Sequence, residues 1–198
     1  LRKIERHAGD ADASAVERDF FALDIHGTPY RLRAEDQFSA QTLSDEISDV
    51  RFMEPLSENE LLFVLSSSDF DEKIVVFDVL INSIVWQAPV PQQTADGSSE
   101  ESEDELRTVT AVATDLKSRR FAIGFSDGLY LHYAPKESTE AQSKDYLCLP
   151  IYDSSGSVRA ELHEQEVTAL AFVYDNKGKL GLFSAGADLM CYQIMVAD

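Results

Sequence analysis

Cysteine is almost missing from this chain: Cys148 and Cys191 are the only two in 198 residues. Two are too few for a disulfide framework and fit a reducing, intracellular compartment. Positive charge is also scarce. Seventeen Lys and Arg stand against thirty-six Asp and Glu, for a net charge of −19. No cationic run exceeds Arg119-Arg120. Nucleic acid and anionic membrane surfaces both require clustered Lys and Arg, so neither is expected as a direct partner over most of the surface. No stretch approaches the roughly 18 uninterrupted apolar residues of a membrane span. The chain does not open on Met, and Leu1-Arg2-Lys3-Ile4 lacks the apolar core of a signal peptide. The expectation is a segment that begins inside a longer protein. Of the motifs of common chemistries, there is no P-loop and no dinucleotide fingerprint; Gly124-Phe125-Ser126-Asp127-Gly128 spells G-x-S-x-G but falls at a strand-to-strand turn rather than the strand-to-helix turn of a nucleophile elbow, and Ser184 lacks the pattern.

What is present is 44% hydrophobic residues, enough to fill a core in one large domain or two small ones, and a near-repeat. Val109-Thr110-Ala111-Val112 leads into Phe121-Ala122-Ile123-Gly124-Phe125-Ser126-Asp127-Gly128 and then Leu129-Tyr130-Leu131-His132-Tyr133. Val167-Thr168-Ala169-Leu170 leads into Leu182-Phe183-Ser184-Ala185-Gly186-Ala187-Asp188 and then Leu189-Met190-Cys191-Tyr192. Each unit reads as strand, gap, strand ending in small residues, Asp-centred turn, strand. That pattern is a β-propeller blade. The repeat spacing exceeds the roughly 40–45 residues of a blade without inserts, and two polar inserts account for the excess.

Earlier in the chain, Phe20–Asp24 and Tyr30–Arg33 flank the turn Ile25-His26-Gly27-Thr28, where Gly27 supplies the positive φ of a tight hairpin. A short strand follows near Phe38–Leu43. Val50–Met53, Leu61–Leu65, Ile74–Asp78 and Ser83–Trp86 form a second unit. A buried helix also gives short apolar runs, but the bounding turn residues and β-branched content favour strands here. The fold class expected is all-β: a WD40-like propeller of four-stranded blades, present as about four blades of a ring of about seven. Residues 1–19 are a polar lead-in, and 20–198 the partial propeller, with blades near 20–45, 47–88, 108–152 and 163–198. The first lacks an inner strand and the last an outer one, so more propeller is expected beyond residue 198. Residues 90–107 are acidic and poor in apolar side chains, and are expected to form a mobile loop.

Phe77-Asp78 stands where WD-type blades carry Trp-Asp, and Leu162-His163 where they carry Gly-His. With those departures the sequence gives no warrant for the Asp–His hydrogen-bond network of such blades. Read in order, Asp24–Leu32, Lys73–Asp78, Val109–Ala113, Phe121–Gly128, Val167–Phe172 and Leu182–Ser184 resemble the amino-terminal propeller of the eleventh vacuolar protein sorting subunit family, a class C core component. The resemblance spans roughly residues 20–194 and rests most on Ala122–Gly128 and Val167–Phe172. It implies a subunit shared by the HOPS and CORVET complexes, which tether endosomes and vacuoles or lysosomes before membrane fusion. In that family a long α-solenoid and a RING-type zinc domain follow the propeller. Neither lies in these residues, so zinc-dependent or ubiquitin-ligase activity is not expected of them.

Asp127-Gly128 and Ala187-Asp188 admit a catalytic reading as loop-tip carboxylates, but Asp capping a tight turn with Gly at positive φ is preferred. Gly27, Asp127, Gly128 and Asp188 are thus structural turn residues. His163-Glu164-Gln165-Glu166 lacks a second His or Cys at ligand spacing, so no metal is expected, and His163 is read as leading into an inner strand. No His is placed to serve Ser126 or Ser184 as a base. No catalytic residue and no cofactor are expected. Ser98, Ser99 and Ser102 precede acidic residues in the pattern that acidophilic kinases favour; a solvated spacer is the preferred reading and phospho-regulation the alternative. Trp86 is expected to pack between blades rather than anchor a peptide. The function expected is a non-catalytic interaction scaffold of a tethering complex. Its partners would be class C and Rab-binding subunits, and it would sit peripherally on late endosome, vacuole or lysosome membranes. The alternative is a WD-repeat scaffold of a nuclear or ribosome-assembly complex. An enzyme using a central channel needs polar side chains converging from several blades, and none are apparent.

Overall fold

The computed structural model describes residues 2–5, 18–33, 39–66, 72–91, 107–136, 145–149 and 163–196. The acidic segment with Ser98, Ser99 and Ser102 lies outside the described residues, as do Phe38 and Leu162. Among those described there are fifteen strands, each antiparallel to its sheet neighbours, in two compact units, 1–89 and 90–198.

The first unit holds two four-stranded meanders. One is β1 (Arg2–Glu5), β2 (Arg18–Leu23), β3 (Pro29–Arg33) and β4 (Ser39–Thr42); the other is β5 (Val50–Pro55), β6 (Glu60–Leu65), β7 (Lys73–Asp78) and β8 (Ser83–Pro89). β1 corrects the expectation that the first blade lacks a strand. It pairs Arg2 with Phe21 and Ile4 with Asp19. Its sequence, Arg-Lys-Ile-Glu, has one apolar residue and so no legible period; the backbone ladder supports it instead. Phe21, Leu43, Ile47, Val50, Met53, Leu61, Phe63, Val75 and Phe77 form the core of this unit. β6 and β7 bury both faces, which explains their continuous apolar runs. Trp86 stands opposite Val76 in β8 and is half-buried.

The second unit holds β9 (Val109–Asp115), β10 (Arg120–Phe125), β11 (Tyr130–Pro135) and β12 (Tyr146–Leu149), followed by a three-stranded sheet of β13 (Val167–Tyr174), β14 (Leu180–Gly186) and β15 (Cys191–Met195). β9 alternates buried and half-buried residues along its whole length, the period of a strand. The two sheets stack through Ala111, Ala122, Tyr130, Val167, Leu182 and Ile194. The Thr110 hydroxyl donates across the stack to the Val167 carbonyl at 2.6 Å. Up-and-down four-stranded sheets packed in chain order are the blades of a WD40-like propeller.

Candidate functional site

The turns do most of the polar work. In the β2–β3 hairpin the Asp24 carboxylate accepts from the N–H groups of His26 and Thr28 at 2.8 and 2.9 Å. The Thr28 N–H is the chief reason its carboxyl lies below the usual carboxylate value. Gly27 sits at φ 75°, and its carbonyl accepts from the Val50 N–H at 3.0 Å, which ties the hairpin to the next sheet.

The equivalent turns of the second unit carry a larger device. Between β10 and β11, Asp127 accepts from the Leu129 N–H through Oδ1 at 3.2 Å. Its Oδ2 receives the Arg107 Nε–H at 2.7 Å and lies 2.6 Å from Arg107 Nη2. The buried guanidinium also donates to the Pro91 carbonyl at 3.0 Å and stands 5.2 Å from the centre of the Phe125 ring. Gly128 has φ 84°, and a Cβ there would run into the carbonyl of His163.

Between β14 and β15 the same place is taken by Asp188, with Leu189 in the left-handed region at φ 64°. Asp188 Oδ1 lies 3.0 Å from His163 Nδ1, and the N–H groups of Met190 and Glu164 donate to the carboxylate at 3.1 Å each. Burial alone would raise this carboxyl. The Met190 N–H, His163 and the Glu164 N–H outweigh it and hold it below the usual value. On the other side of the ring, His163 Nε2 is 2.9 Å from Ser184 Oγ, and Tyr192 meets the ring edge-on at 4.8 Å between centroids.

Two expectations are corrected here. The Asp–His network is built in the fourth sheet, because it needs only an imidazole and a carboxylate at the two ends of the gap, not a Gly before the His. A His does stand in reach of Ser184. A carboxylate only accepts, so Nδ1 donates to Asp188, and Nε2 is hydrogen-bonded to the serine hydroxyl. These are the hydrogen bonds of a hydrolytic triad. The surroundings are not those of one. Ser184 is 3% and His163 4% exposed, and Ser184 lies inside β14, paired to Leu170 and Tyr192 on both sides. An acyl carbonyl has no approach to Oγ, and the local backbone N–H groups are spent in the ladder rather than aimed at an oxyanion. The trio is a clamp from the segment entering β13 to the β14–β15 turn, and Arg107–Asp127 is its counterpart one sheet earlier.

Both ring nitrogens of His163 are engaged, so it has no lone pair free for a metal. Among the described residues no three His, Cys, Asp or Glu side chains gather as a metal site. Cys148 and Cys191 are free thiols on different sheets. Asp127, Gly128 and Asp188 lie at one end of the second unit, whereas Gly27 belongs to the first. Sequence reading missed Arg107. The signal available was a basic or imidazole residue shortly before each of β9 and β13, followed about two strands later by the turn Asp.

The fold and its turn clamps define the chain as a partial WD40-like β-propeller, and two solved structures share its fold. A chain in the crystal structure of the mitotic checkpoint complex matches with a TM-score of 0.54 at 14% identity, over 92% of this chain and 48% of that one. The crystal structure of Saccharomyces cerevisiae Sqt1 matches with a TM-score of 0.52 at 12% identity, over 94% of this chain and 42% of that one. This chain therefore spans less than half the length of these two structures. No protein-family model and no curated protein sequence matches it. Among the described residues no helix is long and apolar enough to cross a membrane.

Proposed function

We propose that the chain is a non-catalytic protein-interaction scaffold, a set of propeller blades in a subunit of an endosomal or vacuolar tethering complex. The observation that carries the scaffold reading is the burial of the Ser184–His163–Asp188 constellation, which leaves that trio as a fold clamp and the turns as presenting surfaces. The tethering assignment draws its support from Ala122–Gly128 and Val167–Phe172, the strings most similar to the vacuolar sorting family. In this reading the partners are class C and Rab-binding subunits, and the protein is peripheral on late endosome, vacuole or lysosome membranes. Ser98, Ser99 and Ser102 are proposed as phosphorylation sites that alter such a contact by adding about −1.5 to −2 charges each; phosphopeptide mapping that finds them unmodified in cells removes this part.

The test is affinity purification of the full-length protein from its native cells with mass spectrometry. Recovery of class C and Rab-binding subunits supports the whole reading. A different stable set keeps the scaffold and overturns the tethering assignment. The absence of any stoichiometric partner overturns both.

A further inference from the structure

Six of the chain's seventeen cationic side chains belong to one end of the second unit's two sheets. The β9–β10 turn brings Lys117, Arg119 and Arg120, and the β13–β14 turn brings Lys177 and Lys179. The antiparallel register places both turns, and Lys136 just beyond β11, at the same end of the two sheets. Tyr174 joins the turns. Its hydroxyl donates to Asp115 at 2.7 Å and its ring lies 4.9 Å from Lys117 Nζ. The carboxylates here are engaged locally, Asp115 with the Ser118 N–H and Asp175 with the N–H groups of Lys177 and Lys179. Among the described residues no carboxylate forms an ion pair with Lys117, Lys136, Lys177 or Lys179. Leu116, Val173 and Tyr174 remain exposed among them. The opposite end of the same sheets has the opposite sign, with Asp127, Glu164, Glu166 and Asp188, and Arg107 held in its ion pair.

We infer that this Lys-rich end, Lys117, Lys136, Lys177 and Lys179 around Leu116 and Tyr174, docks an acidic peptide segment of a partner protein that carries an apolar side chain. The inference rests on the scaffold reading and adds the chemistry of one partner. Charge complementarity argues for it: the patch is cationic on a chain whose net charge is −19. Exposed apolar side chains among the lysines fit an apolar anchor flanked by carboxylates. The same balance argues against an anionic membrane. A bilayer presents its charge to the whole molecule and is repelled by most of it. A peptide lies within about one Debye length, roughly 8 Å, of this end alone, where the lysines outnumber Asp115 and Asp175.

The experiment selects a random dodecapeptide library on the immobilised full-length protein and measures selected peptides by fluorescence anisotropy. The expected result is enrichment of acidic peptides with an aromatic or aliphatic residue. The Lys177→Glu/Lys179→Glu variant is expected to weaken their binding about tenfold or more, with Lys117→Glu as an independent second variant. Both substitutions lie on exposed turns, and an unchanged Tm confirms the fold. Added salt is expected to weaken binding in parallel. Selection of non-acidic peptides, or binding indifferent to both variants, overturns the inference. So does binding to phosphatidylserine vesicles, rather than peptides, that the same variants abolish. Recovery of stable subunits by the full-length protein with no acidic peptide selected overturns this inference alone and leaves the scaffold standing.

Discussion

Lowering the pH toward 4 should loosen the second unit through a single side chain. His132 lies in β11 opposite Ala122 and Leu149, is 4% exposed, and its Nε2 has no hydrogen-bond partner. The Phe172 ring sits 5.8 Å from it. Burial, helped by the Arg120 charge, pushes its pKa from 6.5 down to about 4. The folded form therefore prefers the neutral ring, and between those two values the unfolded chain binds more protons. Stability from this group is complete above pH 6.5, falls by about 1.4 kcal/mol per pH unit below it, and levels off near pH 4, for a total of about 3 kcal/mol. That is a large part of the 5–15 kcal/mol typical of a domain. The lowered carboxyls of Asp115 and Asp188 lose their contributions only as pH falls through and below the ordinary carboxylate value of 3.8, so the windows separate. The only tryptophan, Trp86, lies in the other unit. Urea midpoints are therefore read by pulsed hydrogen exchange over residues 120–135, in the wild type and in His132→Leu, which keeps the volume and removes the titrating ring. The variant should match the wild type near pH 7 and exceed it progressively below pH 6.5. Parallel curves for the two proteins between pH 6.5 and 4 would refute the reasoning.

Other substitutions separate close contact, backbone strain and hydrogen bonding. Gly128→Ala places a Cβ against the His163 carbonyl at φ 84° and should cost about 3 kcal/mol or more, whereas Gly178→Ala, at φ 78° with open space around it, should cost about 1; equal losses of Tm would deny the contact. Leu189 is 93% exposed at φ 64°. Leu189→Gly relieves about 1–2 kcal/mol of left-handed strain against about 0.5–1 of added chain entropy, so a small rise in Tm is expected and a fall would count against that conformation. Ser184→Ala leaves His163 Nε2 unpaired in the interior and should destabilise by about 1–3 kcal/mol. Any esterase activity of the chain should be unchanged in that variant; loss of activity at unchanged stability would restore the triad as a catalyst.

The strands that are half or fully buried were legible because their periods are local. β9 alternates, β6 and β7 are continuously apolar, and the Asp-Gly turn after β10 marks its end. β1 was not legible, since a strand of Arg, Lys, Ile and Glu is recognised by its ladder partner rather than by its own side chains. The clamps escaped for a related reason. Arg107 and Asp127 are 20 residues apart, and His163 and Asp188 are 25. No turn rule reaches that far, and two different side chains serve the same role.

That interchange says what the clamp does. A guanidinium in one sheet and an imidazole in the next hold the same carboxylate in the same turn, and only the carboxylate is common to both. The shared requirement is thus a buried donor that fixes the turn to the incoming segment, with no need for a titrating or nucleophilic group. A catalytic site would not tolerate Arg for His, since Arg takes no proton at neutral pH. With Asp127 and Asp188 committed to folding at one end, the lysines and apolar tips of the other are left for contact, and binding surfaces are made from uncommitted groups.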